Sequence, residues 1–303
     1  MFGNNIKVHF AGCEQCPHTE CILEGGAKYG LFSVFGLIAG KFGIKCHNDF
    51  LVKDPGNRIE VLKKQTSDFN HTIMDSGLFT LMFGAKAGKR DAKFITAWTE
   101  ELCSYVRANG ITATCVEVDC QKVLGVEEAW KMRKRMKKLL PDNRIINVFH
   151  MEDGRKGLDR LIEYADYIAL SVPELRRHYG FGEAHMKAVV RLANYVKQRK
   201  PSIDIHLLGC TVTKLLSLCD FCTSADSTSW QSINRYGYAR MGGKVRGTAN
   251  MSKKAVSDIG DRLARRFAER FGVTKFNRTY YARYVISVMS CLRDYERAAG
   301  DQS

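Results

Sequence analysis

Short apolar runs alternate along the chain with longer stretches whose apolar residues fall three and four positions apart. This is the mark of strands alternating with amphipathic helices. The runs Lys7–Ala11, Thr72–Met74, Thr114–Val118, Ile145–Phe149, Tyr167–Val172, Ile205–Leu208 and Phe221–Ser224 read as strands, and a further strand is expected between Gly43 and Leu62. Asp91–Asn109, Gly125–Leu140, Leu158–Tyr164, Ala184–Arg199 and Val212–Cys219 read as helices. The first of these carries the stripe Phe94, Trp98, Leu102, Val106 and has Gly110 as its stop. Beyond Trp230 the pattern turns helical, over Lys253–Arg270 and Thr279–Ala299.

Strands and helices alternating every ~20–45 residues predict a parallel sheet. Seven or eight such units suit a (β/α)8 TIM-type barrel. The rival, an open doubly wound sheet, predicts a glycine-rich phosphate loop after an early strand, and no G-x-G-x-x-G occurs. Residues 1–240 are thus expected to form the α/β barrel, and 241–303 a basic helical C-terminal extension packed on it.

Composition narrows the class. A 45% hydrophobic content is that of a soluble globular protein. The opening residues lack a signal pattern. The longest uncharged stretch, Tyr29 to Gly40, is far short of the roughly 20 residues of a membrane span. A cytoplasmic protein without membrane partners is expected. The net charge of +15 favours a polyanionic partner, nucleic acid above all. Residues 231–303 hold 15 Lys/Arg against 6 Asp/Glu, so +9 of that charge lies in the last quarter. A second basic cluster runs from Lys131 to Lys138 inside a helical pattern.

Several predicted strands end in a polar or ionisable residue: Asp75, Asp119, His150, Ser171 and, slightly beyond its strand, Asp226. In a barrel these positions meet on the face that carries active sites. Taken singly, each is as well explained as a turn or helix-cap residue. Together, the carboxylates suit a nucleophile, an acid/base and a base-reading group, the set required to break and re-form an N-glycosidic bond with retention. A metal-hydrolase reading is weaker, because no H-x-H or H-E-x-x-H is present.

In chain order these motifs resemble those of the tRNA-guanine transglycosylase superfamily. Asp75-Ser-Gly-Leu-Phe79-Thr80 resembles D-[ST]-G-G-[FY]-Q, with its catalytic aspartate and base-stacking ring. Val118-Asp119 resembles the strand-end aspartate that bonds the guanine edge. Asn147-Val-Phe-His150 stands where the family has V-Q-G, and Ala169-Leu-Ser171-Val stands at its glycine-rich strand end. Leu207-Leu208-Gly209-Cys-Thr resembles L-M-G-V-G-T-P. Cys222-Thr-Ser-Ala-Asp226, with Arg235 and Gly237 beyond, resembles F-D-C-V-x-P-T-R…G, whose aspartate is the nucleophile. The resemblance, spread over about residues 6 to 240, implies that Asp226 attacks C1′ and Asp75 is the general acid/base. It also implies that Asp119, His150 and the backbone near Ser171 and Gly209 read the base, while Phe79 and Leu208 sandwich it. Leu78 and Thr80 depart from the family pattern at the pocket floor.

The family's C-terminal zinc signature is missing, since only Cys291 follows Asp226. This brings the chain closer to the DNA-modifying branch, which includes phage-type 7-deazaguanine DNA transglycosylases. The expected function is therefore a pentosyltransferase exchanging guanine in DNA for a 7-deazaguanine such as 7-cyano-7-deazaguanine, with no cofactor required for the chemistry. Alternatives are the same exchange on tRNA, or a non-catalytic nucleic-acid-binding barrel using Trp230, Tyr236, Tyr238, Tyr280 and Tyr281 for stacking. Arg235, Arg240, Lys244 and Arg246 are expected to contact phosphates.

Of the eleven cysteines, most read as small buried hydrophobes of a reducing compartment. Cys13, Cys16 and Cys21 form a C-x2-C-x4-C cluster. It fits either a structural zinc site completed by Cys46, His18 or His47, or three reduced thiols in a turn.

Overall fold

In the computed structural model, which describes residues 6–14, 16–44, 60, 63, 65–83, 90–210, 212–241 and 244–300, eight parallel strands close into a barrel. They are β1 Lys7–Ala11, β2 Tyr29–Ser33, β3 His71–Asp75, β4 Thr114–Val116, β5 Ile145–Phe149, β6 Tyr167–Ser171, β7 Asp204–Leu208 and β8 Ser224–Ser227. β8 pairs with β1, placing His9 beside Asp226, and this closes the ring. Helices surround it, so the chain is an α/β barrel of the (β/α)8 type with further helices at its C-terminus.

Two strands depart from expectation. The second strand is Tyr29–Ser33, ahead of the Gly43–Leu62 interval, most of which lies outside the described residues. Its central residues Gly30, Leu31 and Phe32 are all buried. A strand covered on both faces shows no alternation, so it merges with the apolar helix that follows. The last strand begins three residues later than the apolar run Phe221–Ser224 suggests, because Ser224-Ala-Asp-Ser227 is polar yet wholly buried.

The barrel wall is packed on both sides. Ala11, Leu31, Ile73, Val116, Ile146, Val148, Tyr167 and Ala169 form one cluster inside it. Phe10, Phe32, Met74, Phe149, Ile168, Leu170 and Leu207 join the larger cluster under the helices. Helix Ala92–Ala108 starts on Asp91, whose side chain accepts from the Phe94 N–H at 2.8 Å. Its fully buried Trp98 donates from Nε1 to the Ser76 carbonyl at 2.9 Å, fastening the segment just after β3.

One buried ion pair braces the wall beside β4 and β5. Arg133 donates from Nε and Nη2 to the two oxygens of Glu117 at 2.7 and 2.6 Å, and Asn147 Nδ2 and the Val148 N–H complete the carboxylate's shell. The pair is 1% and 2% exposed. Part of the Lys131–Lys138 cluster is thus interior, and Lys131 and Arg135 pair with Glu128 and Glu100. Arg133→Ala leaves Glu117 charged and unpaired in the interior, so a loss of about 3–5 kcal/mol in unfolding free energy is expected by urea denaturation.

The C-terminal helices Lys253–Phe271 and Arg278–Gly300 pack on one another. The second also packs on helices Cys16–Glu24 and Thr213–Leu218, which follow the first and seventh strands of the barrel. Part of the tail's charge is consumed here: Arg262 bonds Glu24 at 2.6 Å, while Arg266 and Arg270 converge on the buried Glu20. Between barrel and helices lies an antiparallel hairpin, β9 Tyr238–Met241 and β10 Lys244–Gly247, where only helix was expected. Among the described residues, no helix is long and apolar enough to cross a membrane.

Candidate active site

The strand-end residues singled out by the sequence gather at one end of the barrel. Asp75 is the last residue of β3, Ser171 of β6 and Leu208 of β7. Asp119 and His150 follow β4 and β5, and Asp226 lies within β8. In a parallel barrel these ends share one face.

Asp75 stands at a turn made possible by Gly77, whose φ of +74° and close approach to Phe35 exclude a side chain. The Gly77 N–H donates to Asp75 Oδ2 at 2.9 Å. Burial pushes the Asp75 carboxyl up to about 7, and the charges of Asp119 and Asp226 push the same way against the bonds from Gly77 and Ser33. The three aspartates thus occupy one electrostatic neighbourhood.

Asp119 is held by a charged chain. His150 Nε2 donates to Asp119 Oδ2 at 2.9 Å, and Nδ1 donates to Glu174 Oε2 at 2.7 Å. Lys122 completes the chain with a 2.7 Å bridge to Glu174. Burial alone would lower the imidazole, but the two carboxylates overturn this and lift it to about 10. Burial alone would likewise raise Glu174, yet His150 and Lys122 bring it down to about 2. Both nitrogens of His150 are engaged, so its ring orients Asp119. This differs from the base-reading part that the resemblance implied for His150.

Asp226 is held differently. Its Oδ1 accepts the Gly209 N–H at 2.6 Å and His206 Nε2 at 3.2 Å. No described residue bonds Oδ2, and the residue is 7% exposed. Gly209 has φ +64°, and a Cβ there would strike the Pro173 ring at 2.8 Å. Glycine is therefore what allows this N–H to reach the carboxylate.

Around these groups Phe79 is 68% exposed, an unusual state for a phenyl ring at the mouth of a barrel, and Leu208 is partly buried. Ser171 spends its hydroxyl capping the helix Val172–Tyr179, accepting from the Glu174 N–H at 3.4 Å. That cap carries Glu174 to His150.

Sequence reasoning missed Glu14, Lys122, Glu174 and His206. Glu14 follows β1 just as the aspartates follow their strands, and its Oε2 accepts the Ser33 N–H at 3.4 Å. His206 shares an inward face with Leu208 in the alternation of β7 and is completely buried.

The amino-terminal cysteines do not converge in the described part. The Cys13 thiol donates to the Phe10 carbonyl at 3.1 Å and Cys21 to the Tyr281 carbonyl at 3.6 Å. Burial pushes both thiols up. His18 packs edge-on between Trp230 and Tyr284. Cys46, His47 and the Cys16 side chain lie outside the described residues. Among the described residues, the metal-like group is His150, Glu152 and Glu174. Both ring nitrogens of His150 are already engaged there, by Asp119 and Glu174.

On the outer surface Arg235 and Lys244 are exposed, while the Arg240 and Arg246 side chains lie outside the described part. The rings of Tyr236 and Tyr238, 61% and 41% exposed, stack at 5.8 Å. Trp230 is fully buried and donates to the Ala11 carbonyl, so it presents no stacking face. A cavity of about 560 Å³ lies away from the barrel mouth, beside the hairpin's end. It is lined by Thr248, Lys253, Ser257, Arg278, Thr279 and Arg283, among others.

No family model matches the chain, and no curated protein matches it. Fold and site define a class: a parallel eight-stranded α/β barrel with carboxylates on one rim and a basic surface beside it.

Proposed function

We propose that this chain is a transglycosylase that exchanges guanine in DNA for a 7-deazaguanine. The observation that carries the reading is the unequal treatment of two neighbouring carboxylates. Asp75 is raised to about 7 and can carry a proton near neutral pH, whereas Asp226 is gripped through one oxygen, with the other bonded by no described residue. A proton shuttle and an aimed nucleophile are what double displacement at an anomeric carbon needs.

In the first displacement Asp226 Oδ2 bonds to C1′, the C1′–N9 bond breaks with its electron pair leaving on guanine, and Asp75 supplies the proton. The incoming 7-deazaguanine returns a proton to Asp75. Its N9 then attacks C1′, and the C1′–O pair returns to Asp226. Asp119, fixed by His150, accepts hydrogen bonds from the purine edge, while Phe79 and Leu208 cover the two faces. Closure of that slot keeps water from the ester. The assignment of these roles follows the resemblance to the transglycosylase superfamily, and the carboxylate geometry supports it.

The basic surface fits a nucleic-acid substrate. Arg235 and Lys244 are exposed on the segment that carries the stacked Tyr236 and Tyr238, and Lys253 and Arg283 line the cavity beside the hairpin's end. Arg240 and Arg246 are expected to add phosphate contacts. Neutralising Arg235, Arg240, Lys244 and Arg246 together should reduce the slope of log K against log salt on duplex DNA. The expected reduction is ~0.9 for each phosphate that a cation no longer neutralises. An unchanged slope would place the nucleic acid elsewhere.

The activity itself is tested by incubating the protein with guanine-labelled DNA and with labelled tRNA, each with 7-cyano-7-deazaguanine. Release of guanine from DNA, matched by uptake of the deazaguanine, is expected. Exchange on tRNA alone would move the substrate to RNA. Salt-sensitive binding with no exchange on either would leave a nucleic-acid-binding barrel.

A further inference from the structure

Asp226 is the end of a hydrogen-bonded chain that runs through the inside of the barrel. His206 Nε2 meets Asp226 Oδ1 at 3.2 Å, His206 Nδ1 meets Ser224 Oγ at 2.5 Å, and Ser224 Oγ meets the Tyr167 hydroxyl at 2.5 Å. His206 and Ser224 are wholly buried, and Tyr167 is 2% exposed. The members come from three neighbouring strands, β6, β7 and β8, whose register sets His206 beside Ser224.

The direction of the chain follows from its ends. A carboxylate oxygen can only accept, so Nε2 carries the ring proton. In the neutral ring Nδ1 is then an acceptor, and the Ser224 hydroxyl must donate to it. Ser224 in turn accepts from Tyr167, whose phenol keeps its proton because burial pushes it up to about 12. Every donor therefore faces Asp226, and each bond polarises the next toward the carboxylate.

We propose that Tyr167, Ser224 and His206 form a positioning chain that fixes Asp226 through Oδ1, keeps Oδ2 free to attack, and stabilises the carboxylate as it leaves the glycosyl ester. The inference rests on the transglycosylase reading of Asp226. Its chemical sense lies in the difference between two states of one residue. While the ester stands, Oδ1 is an uncharged carbonyl and the bond from His206 is an ordinary one. When N9 of the incoming base bonds to C1′ and the C1′–Oδ2 pair returns to Asp226, the same bond becomes charge-assisted and stronger. The chain thus favours the second displacement over the persistence of the ester.

Removing the chain should slow ester breakdown more than ester formation, a consequence that loose packing alone would not have. In His206→Leu, turnover is expected to fall about 10- to 100-fold, the rate equivalent of one hydrogen bond to a charged group. KM for DNA should fall together with kcat, because the ester accumulates, and the fraction of enzyme trapped covalently on DNA in a denaturing gel should rise. His206→Gln, which retains an N–H donor, should recover part of the rate and lower the trapped fraction again. Tyr167→Phe removes only the far donor and preserves the packing, so a two- to fivefold loss with the same rise in trapped enzyme is expected. A carboxyl ¹³C signal for Asp226 gives a second readout that needs no turnover: Tyr167→Phe should shift it although Tyr167 does not touch Asp226.

If the wild type exchanges no base, the transglycosylase reading fails on its own, and the ¹³C signal still decides whether the chain exists. An Asp226 signal unmoved by Tyr167→Phe overturns the chain. Reduced turnover with an unchanged trapped fraction in both folded variants, His206→Gln and Tyr167→Phe, overturns its part in ester breakdown.

Discussion

Asp226→Asn is expected to lower base exchange by about 10⁴-fold or more while leaving the protein folded and bound to DNA. The amide oxygen can replace Oδ1 as acceptor for the Gly209 N–H and for His206, so the barrel keeps both bonds. What it lacks is an anionic oxygen able to form and release the ester. Asp226→Ala should be equally inactive but less stable. It strands two buried donors, at a cost of about 1–3 kcal/mol. Comparing the two by exchange assay and urea denaturation separates the chemistry of the carboxylate from its structural bonds. Wild-type turnover in Asp226→Asn would show that another residue is the nucleophile.

Asp75→Asn should have opposite effects on activity and stability. Exchange falls by about 10²–10⁴-fold because the leaving base loses its proton donor. Stability at pH 8 rises, because wild-type Asp75 is ionised there in a place that disfavours the charge. The sign follows from the protons bound. Between the ordinary carboxyl value of 3.8 and the folded value of about 7, the folded state holds more proton than the unfolded one, so stability falls as pH rises through that window. The penalty is absent below the window and constant above it. The gain for Asn should therefore be about 1–3 kcal/mol at pH 8 and vanish near pH 4. Equal denaturation midpoints for wild type and variant at pH 8 would contradict the strain assigned to this carboxylate.

The barrel was legible because most of its units write strand and helix in different periods. Ile145–Phe149 and helix Ala92–Ala108, with its Asp91 cap and Gly110 stop, fall where apolar spacing puts them. Legibility failed where burial is two-sided or polar. Tyr29–Ser33 has no exposed face to write an alternation, and Ser224–Ser227 looks like a loop because its polar groups are satisfied inside the barrel. The strand-end aspartates could be seen as a set because barrel topology gives them equivalent positions. What could not be seen was what holds them. Glu174 reaches His150 only through a helix that Ser171 caps, and His206 reaches Asp226 across two strands whose register no local pattern reveals.

Charge was legible in amount and misleading in place. The tail's excess of Lys and Arg suggests a surface for phosphates, yet Arg262, Arg266 and Arg270 hold helix Lys253–Phe271 to Glu20 and Glu24. Those pairs tie that helix to helix Cys16–Glu24, and they leave Arg235 and Lys244 among the exposed cations able to meet a partner.

The identity of the group that bonds to the nucleotide bears most directly on this account. Enzyme quenched with acid during exchange on DNA, digested with protease and nuclease and mapped by mass spectrometry, should carry a deoxynucleotide on the peptide containing Asp226 and none on the peptide containing Asp75. An adduct on Asp75, or continuing exchange with no adduct on either peptide, would contradict it.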